Sequence, residues 1–358
     1  MWAMIVKEFR QLRRDRRTLA MMIFLPIVML VVFGYAASFD VETIRANVVG
    51  PEAERLAGAL PPPFEVETVD EAGGRAEAVA ALRDGDVPVA FVTSPSGITV
   101  LLDGSELFIA RAAQTTVSSL AERLPADVDA NVDVLFNESL ETSAIMVPGL
   151  AAMILLFVGT VITSLGVVRE RQAGTLEQLA VMPLRPTDVF LGKIAPYFVV
   201  AAIDMTVIIL AGIWLFDVPF RGSVLVLALG AVLFLFVTLG IGVLISSVSE
   251  NQGQAIQLAL MTLLPQVMLS GLIFPLSSMA AGVRWIGYVL PLTYFIQISR
   301  GVMLRGASIE ALWAPFAYLA IIGAVVFGLA TLRFRRSLAP ARGRRRRRAE
   351  PATAGAAR

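Results

Sequence analysis

The chain of 358 residues contains no cysteine and no histidine. Disulfide frameworks, thiolate or imidazole metal sites, Ser-His-Asp triads and Cys-His nucleophiles are therefore excluded together. Charge is scarce as well. Asp, Glu, Lys and Arg make up 16% of the residues, where a soluble domain carries about 25%. The only lysines, Lys7 and Lys193, are followed by Glu8 and Ile194. Neither completes the Gly-Lys-Ser/Thr turn of a phosphate-cradling P-loop, so any ATP and Mg²⁺ driving this protein must be bound by another chain and no cofactor is expected in this one. A net charge of +1 gives no global field for nucleic acid, and no such partner is expected.

What is present is apolar: 56% of the residues are hydrophobic and the mean hydropathy is +0.74. Crossing a bilayer core takes about 20 apolar helical residues. Six stretches qualify: Leu19 to Phe39, Ile145 to Val168, Ile194 to Phe216, Val224 to Ser247, Ala255 to Phe274, and Leu312 to Leu332. The first follows a basic leader and resembles a signal peptide, but its apolar run exceeds the usual length of about 7–15 residues and is read as a retained anchor. The leader (Lys7, Arg10, Arg13, Arg14, Arg16, Arg17) and the tail (Arg333, Arg335, Arg336, Arg342, Arg344 to Arg348) hold much of the basic charge. The positive-inside rule puts both termini in the cytoplasm of a bacterial inner-membrane protein, with lipid as a partner, and residues 40–144 outside. A seventh span near Arg284 to Leu304 is rejected. It would export the basic tail, it contains Pro291, and Arg284, Arg300 and Arg305 flank it at about 2.5–3.5 kcal/mol each at a helix centre. Segment 276–311 is expected instead to form short helices dipping into the outer leaflet.

The fold class predicted is an all-α polytopic membrane protein of six spans, with an α/β extracytoplasmic domain inserted between the first two. In that domain, period-two and helical patterns alternate between turn residues: strand Arg45 to Val49, helix Glu52 to Leu60, strand Phe64 to Val69, helix Arg75 to Arg83, strand Val87 to Thr93, strand Ile98 to Leu102, helix Glu106 to Leu124. Its acids are scattered and lack the spacing of a Ca²⁺ loop. The remaining divisions are a cytoplasmic amphipathic helix at 1–18, the anchor at 19–39, a five-span region at 145–332 with a surface helix at 169–182, and a basic tail at 333–358. In the leader, Trp2, Ile5, Val6, Phe9 and Leu12 fall on one helical face.

Directly after the second span comes Arg169-Glu170-Arg171-Gln172-Ala173-Gly174-Thr175-Leu176-Glu177-Gln178-Leu179. Gly174 can end one helix, and Thr175 with Gln178 forms a capping box that starts another. Pro183 and Pro186 then stop it. A smaller Ser-x-x-Gln copy, Ser249-Glu250-Asn251-Gln252, follows the fourth span. On physics alone these are capped helix ends carrying charge that a soluble partner can grip.

These residues resemble the type-2 ABC transporter permease family. Lys7-Glu8-Phe9, Arg14-Asp15 and Pro26 resemble its entry into the first span, and Pro148-Gly149-Leu150 its entry into the second. Arg169 to Leu179 is similar to its motif E-R-x-x-G-T-x-E-x-L. Pro183, Leu191-Gly192-Lys193, Pro196-Tyr197, Phe216 to Ser223, Ser270 to Pro275, Pro291 to Tyr294 and Arg300-Gly301 follow in the family's order. The resemblance implies that Glu170, Arg171, Gly174, Thr175 and Glu177 form a coupling helix seated in an ABC ATPase, with Glu250 in the companion turn. It implies two ATPase copies, a second permease that is identical or homologous, export along the seam between the permeases, and no catalysis in this chain.

An ion-driven transporter is the rival, and it needs ionisable groups within the spans. Asp204 is the candidate for binding an ion or substrate. Its bland alternative is a bond to Thr206 or to a neighbouring helix. An intramembrane hydrolase finds no histidine beside Ser164, Ser246 or Ser247, and a receptor role leaves the capped turns without purpose. Spans rich in Phe, Met and Leu fit a hydrophobic or amphipathic cargo.

Overall fold

The computed structural model describes residues 43–95, 97–121, 129–174 and 186–338, with isolated positions 2, 6, 27 and 41. The leader helix, the first span, most of the tail, Thr175, Glu177 and the capping box they belong to lie outside the described residues.

The first unit is an α/β layer structure. Strands β1 (Ile44–Val49), β2 (Phe64–Asp70), β3 (Val89–Ser94), β4 (Gly97–Asp103) and β5 (Asp129–Leu135) form one sheet in the order β2-β1-β3-β4-β5. β1 runs parallel to β2 and β3, β3 and β4 form an antiparallel hairpin, and β4 is parallel to β5. Helices α1 (Ala53–Ala59), α2 (Arg75–Asp84) and α3 (Leu107–Ala121) make the crossovers. The central strands β3 and β4 are largely apolar on both faces because both are covered. Ile44, Ala46, Val48, Phe91, Val100 and Leu102 pack under α1 and α3, while Val49, Ala90 and Leu101 meet Ala78 and Leu82 of α2. Local chemistry sets the ends of α2. The Gly74 amide donates to Glu77 Oε2 at 2.9 Å, and Gly85 closes the last turn at φ 84°, a conformation that glycine adopts without steric cost.

Strand β5 is absent from the sequence expectation, which treated its acids as loop. Ala130, Val132 and Val134 alternate with Asn131 and Asp133 along it. Val132 and Val134 pack on the core beneath, while Asp133 takes an ion pair from Arg75. Period two was present, masked by carboxylates that an edge strand can leave in water.

Four helices among the described residues are long and apolar enough to span: Thr142–Gln172, Ala195–Phe216, Val224–Val248 and Trp313–Arg333. They belong to α4 (Thr142–Gln172), α5 (Pro186–Phe216), α6 (Val224–Val248) and α10 (Trp313–Leu338). The expected fifth span is helix α7 (Gln252–Leu269). It ends five residues before Phe274, since Ser270 caps it and Gly271 turns left-handed at φ 85° ahead of Pro275. The rejected seventh span is two short helices, α8 (Ala281–Gly287) and α9 (Pro291–Arg300), the second running into a π-turn over Gly301–Arg305.

Position in the bundle differs sharply between the spans. In α4 and α6, 67% and 50% of the apolar window is buried, against 17% in α5 and 11% in α10. α4 and α6 form the centre and touch backbone to backbone. A Cβ on Gly159 would meet Thr238 Oγ1 at 2.0 Å, and one on Gly242 would meet the Gly159 carbonyl oxygen at 2.8 Å. Small residues permit this approach, which larger ones would prevent. At the crossing α4 widens into a π-turn, Val158–Ile162, and the hydroxyl oxygens of Thr160 and Thr163 are buried there without a partner among the described residues. Phe234 of α6 stacks on Phe295 of α9 at 4.6 Å.

Candidate functional site

The residues singled out in the sequence gather at the end of the bundle far from the sheet. α4 starts beside the α/β unit at Thr142 and, at 1.5 Å per residue over 31 residues, reaches Gln172 about 45 Å away. Glu170 and Arg171 occupy its last turn. Ala173 N donates to Arg169 O at 3.0 Å and Gly174 N to Arg171 O at 3.1 Å, with Gly174 left-handed at φ 74°. A Cβ at Gly174 would meet nothing within 4 Å among the described residues, and the left-handed backbone itself disfavours a side chain there.

Two turns that the sequence presents separately are joined here. Arg171 Nη1 donates to the Ser249 carbonyl at 3.0 Å, and Gln252 Nε2 donates to Gln172 Oε1 at 3.1 Å. Ser249 ends α6, so the guanidinium satisfies a carbonyl that the helix leaves unpaired and places positive charge at the negative end of its dipole. The capping at this turn departs from the Ser-x-x-Gln expectation. Asn251, two residues later, is the N-cap of α7, its Oδ1 accepting from Gln254 N at 2.9 Å. Ser249 Oγ instead donates back to Ile245 O at 2.7 Å, and the Glu250 amide donates to Gln254 Oε1 at 2.9 Å. Asn and Ser are about equally good at this position, so it is geometry, the reach of the Asn251 oxygen to the N3 amide, that selects the cap. Sequence reasoning named Glu250 but passed over Gln172 and Asn251; an Asn immediately before an apolar helical run was the available signal.

Asp204 lies apart, half-buried on α5. Its supposed partner Thr206 donates to Ala202 O at 2.8 Å within the same helix, so the bond proposed for it is not made. Ile203 and Val207 beside it are more than half exposed, as are Val199 and Trp214. The cluster of ionisable groups that an ion path through the spans would need is not present around it among the described residues, and these contain no group of carboxylates able to hold a metal ion.

At the opposite end the α/β unit is fastened to the bundle by a second arginine. Arg305 Nη1 pairs with Asp103 Oδ2 at 3.4 Å, with the two side chains 9% and 1% exposed. The other carboxylate oxygen of Asp103 accepts from Ser105 N at 2.8 Å. Arg300 donates to the carbonyls of Gly271 and Leu272 at 3.4 and 3.3 Å, across the break after α7. Arg221 N donates to Met303 O at 2.9 Å, while its guanidinium carbon lies 6.0 Å from the centre of the Phe136 ring. The sequence reading used Arg300 and Arg305 only as charges opposing a span, and nothing in the spacing of residues 200 apart announces their pairing.

Residues 16–332 match the family model described as ABC-2 family transporter protein. Over 94% of its length the chain is 29% identical to a protein of Escherichia coli strain K12 named "Probable multidrug ABC transporter permease YbhS", covering 97% of that protein. It is 28% identical to "Probable multidrug ABC transporter permease YbhR" of the same organism, again over 94% of the chain and covering 99% of the relative. About half of the chain, 51%, is 29% identical to a quarter of "ABC transporter G family member 20" of Dictyostelium discoideum.

Proposed function

Since this chain belongs to the ABC-2 transporter family and is the transmembrane subunit of an ABC exporter, we propose that an ATPase on a separate polypeptide drives it by pushing on the joined ends of α4 and α6. The observation that carries this reading is the Arg171–Ser249 bond across 78 residues of sequence. Through it a force on one turn is shared by both central helices, the two most buried spans among the described residues. Glu170 and Arg171 offer charge for a soluble partner, with Glu250 on the adjacent turn.

The working assembly is two such permeases, identical or homologous, with two ATPase subunits that bind ATP and Mg²⁺. Its six spans include residues 19–39, with both termini in the cytoplasm and the α/β unit outside the inner membrane. Closure of the ATPase pair shifts the bundle from inward-open to outward-open, and a hydrophobic or amphipathic cargo of the drug or lipid type leaves along the seam. The exposed apolar faces of α5 and α10, with Val207, Trp214, Ile321 and Val325, are available to lipid and to the second permease.

The test is a pull-down of the ATPase with detergent-solubilised permease, together with transport in vesicles, for charge reversal at Glu170 (Glu170→Lys) and for Gly174→Val. Both variants should insert normally. Forcing a β-branched residue into a left-handed conformation costs roughly 1–2 kcal/mol locally, and losing one partner of a desolvated interfacial ion pair about 2–5 kcal/mol, or 30-fold or more in affinity. Wild-type assembly and transport in both variants would remove the coupling role from this segment.

A further inference from the structure

The junction between the α/β unit and the bundle encloses a cavity of about 590 Å³. That volume lies within the range of about 300–1,000 Å³ typical of small-ligand pockets. Arg45 of β1 and Arg284, Arg300 and Arg305 of the α8–α9 segment line it, opposed by Glu65, Asp103 and Glu106. The opposition is incomplete. Asp103 is already engaged by Arg305 and by the Ser105 amide. Glu65 and Arg45 both stand exposed at the rim, and Arg45 pairs with Glu67 at 3.2 Å, so the buried cations are Arg300 and Arg305. Four arginines face three carboxylates, and burial raises the pKa of the Glu106 carboxyl above its ordinary value, against the pull of Arg300 and with a further push from Asp103.

The interior also has donors without acceptors. Among the described residues Arg300 and Arg305 are 6% and 9% exposed, and the Nε of each is buried with no hydrogen-bond partner there. The hydroxyl oxygens of Ser270 and Ser277, on the same wall, are likewise unpartnered. Buried cationic donors left open are costly unless something accepts from them. The rest of the wall is mixed, with Thr43, Thr293 and Gln297 beside an apolar strip of Ile109, Leu276 and Ile296.

We propose that this cavity holds the anionic head group of an amphiphile, its oxygens accepting from Arg300 and Arg305 and its apolar part lying along Leu276 and Ile296. A membrane lipid and a water-borne cargo can both carry this head group. Binding here needs neither nucleotide nor ATPase, so it is separable from the coupling assigned to Arg171.

The full-length permease, held in phosphatidylcholine nanodiscs without ATPase, is dialysed to equilibrium against dodecyl phosphate below its micelle concentration, with empty nanodiscs subtracted. Saturable binding is expected. Arg300→Gln should weaken it about tenfold or more, the loss of one charge-assisted contact, and Arg45→Gln by a smaller but measurable factor, the loss of one positive charge at the rim. Arg45 is on the surface, so its variant stays informative if Arg300→Gln does not fold. Glu106→Gln should bind more tightly than wild type, a gain that a damaged fold cannot produce. Nanodiscs containing phosphatidic acid separate the sources: blocked dodecyl phosphate binding identifies a lipid occupant, and unchanged binding identifies a water-borne one. Equal binding of dodecyltrimethylammonium, inorganic phosphate bound as tightly as dodecyl phosphate, or wild-type affinity in the Arg45 and Arg300 variants would overturn the proposal.

Discussion

Each end of the bundle is closed by an arginine, but the two are set in opposite surroundings. At the sheet end Arg305 and Asp103 are both withdrawn from water, and Arg300 bridges two carbonyls beside them. At the far end Arg171 reaches a single carbonyl, next to an exposed pair of glutamines. A buried ion pair tolerates little change, because removing one member leaves the other as an unpaired buried charge; a half-exposed bond is replaced by water at small cost. The joint between the α/β unit and the bundle therefore holds a fixed local geometry, whereas the bond at the other end can be broken at smaller cost.

The largest effect should follow from breaking the pair at the fixed end. Asp103→Ala strands Arg305 and should lower stability by about 3–5 kcal/mol. Thermal unfolding of the purified permease reads this, and the double variant Asp103→Ala, Arg305→Met should recover most of the loss. Failure to recover would show that packing, rather than charge, fastens the two regions. A smaller loss is expected at the far end. Arg171→Gln removes one part-buried bond to a helix terminus, worth about 1 kcal/mol, so the melting temperature should change little. ATP-dependent transport should drop more than stability does, and an equal drop in both would erase the contrast between the ends. The smallest effect tests the middle. Asp204→Asn should leave ATP-driven transport in vesicles unchanged, because no cluster of carboxylates surrounds Asp204 among the described residues; abolished transport in a folded, ATPase-bound variant would favour ion coupling or a direct cargo contact.

Much of the fold was legible because it depends on local pattern. An apolar run long enough to cross a bilayer needs no tertiary information, and three of the expected spans lie within helices α4, α5 and α6 with ends displaced by only a few residues at most boundaries. The start of α5 was the exception, eight residues ahead of Ile194 at Pro186, where proline suits a first helical turn. The βαβ alternation was equally readable, and Gly174 could be assigned to a helix end because few residues other than glycine take φ 74°. Contacts between distant segments were not legible. Arg171 with Ser249 and Arg305 with Asp103 are set by how helices pack, and a sequence records only that the charges exist. The displaced cap at Asn251 is an intermediate case, in which two plausible caps stood side by side and geometry chose between them.

The close crossing of α4 and α6 at Gly159 and Gly242 gives the long helix a fulcrum. Gly159 lies 17 residues from the start of α4 and 13 from its end, so at 1.5 Å per residue the arms are about 25 Å and 20 Å. With no room for a side chain between the two backbones, α4 has little freedom to slide there and is left to tilt. A displacement of Gln172 then reappears at Thr142 with its direction reversed and its size increased by about a quarter. The bundle would thus act as a balance beam: the end that is pulled inward sends the other end outward, directly beneath the sheet.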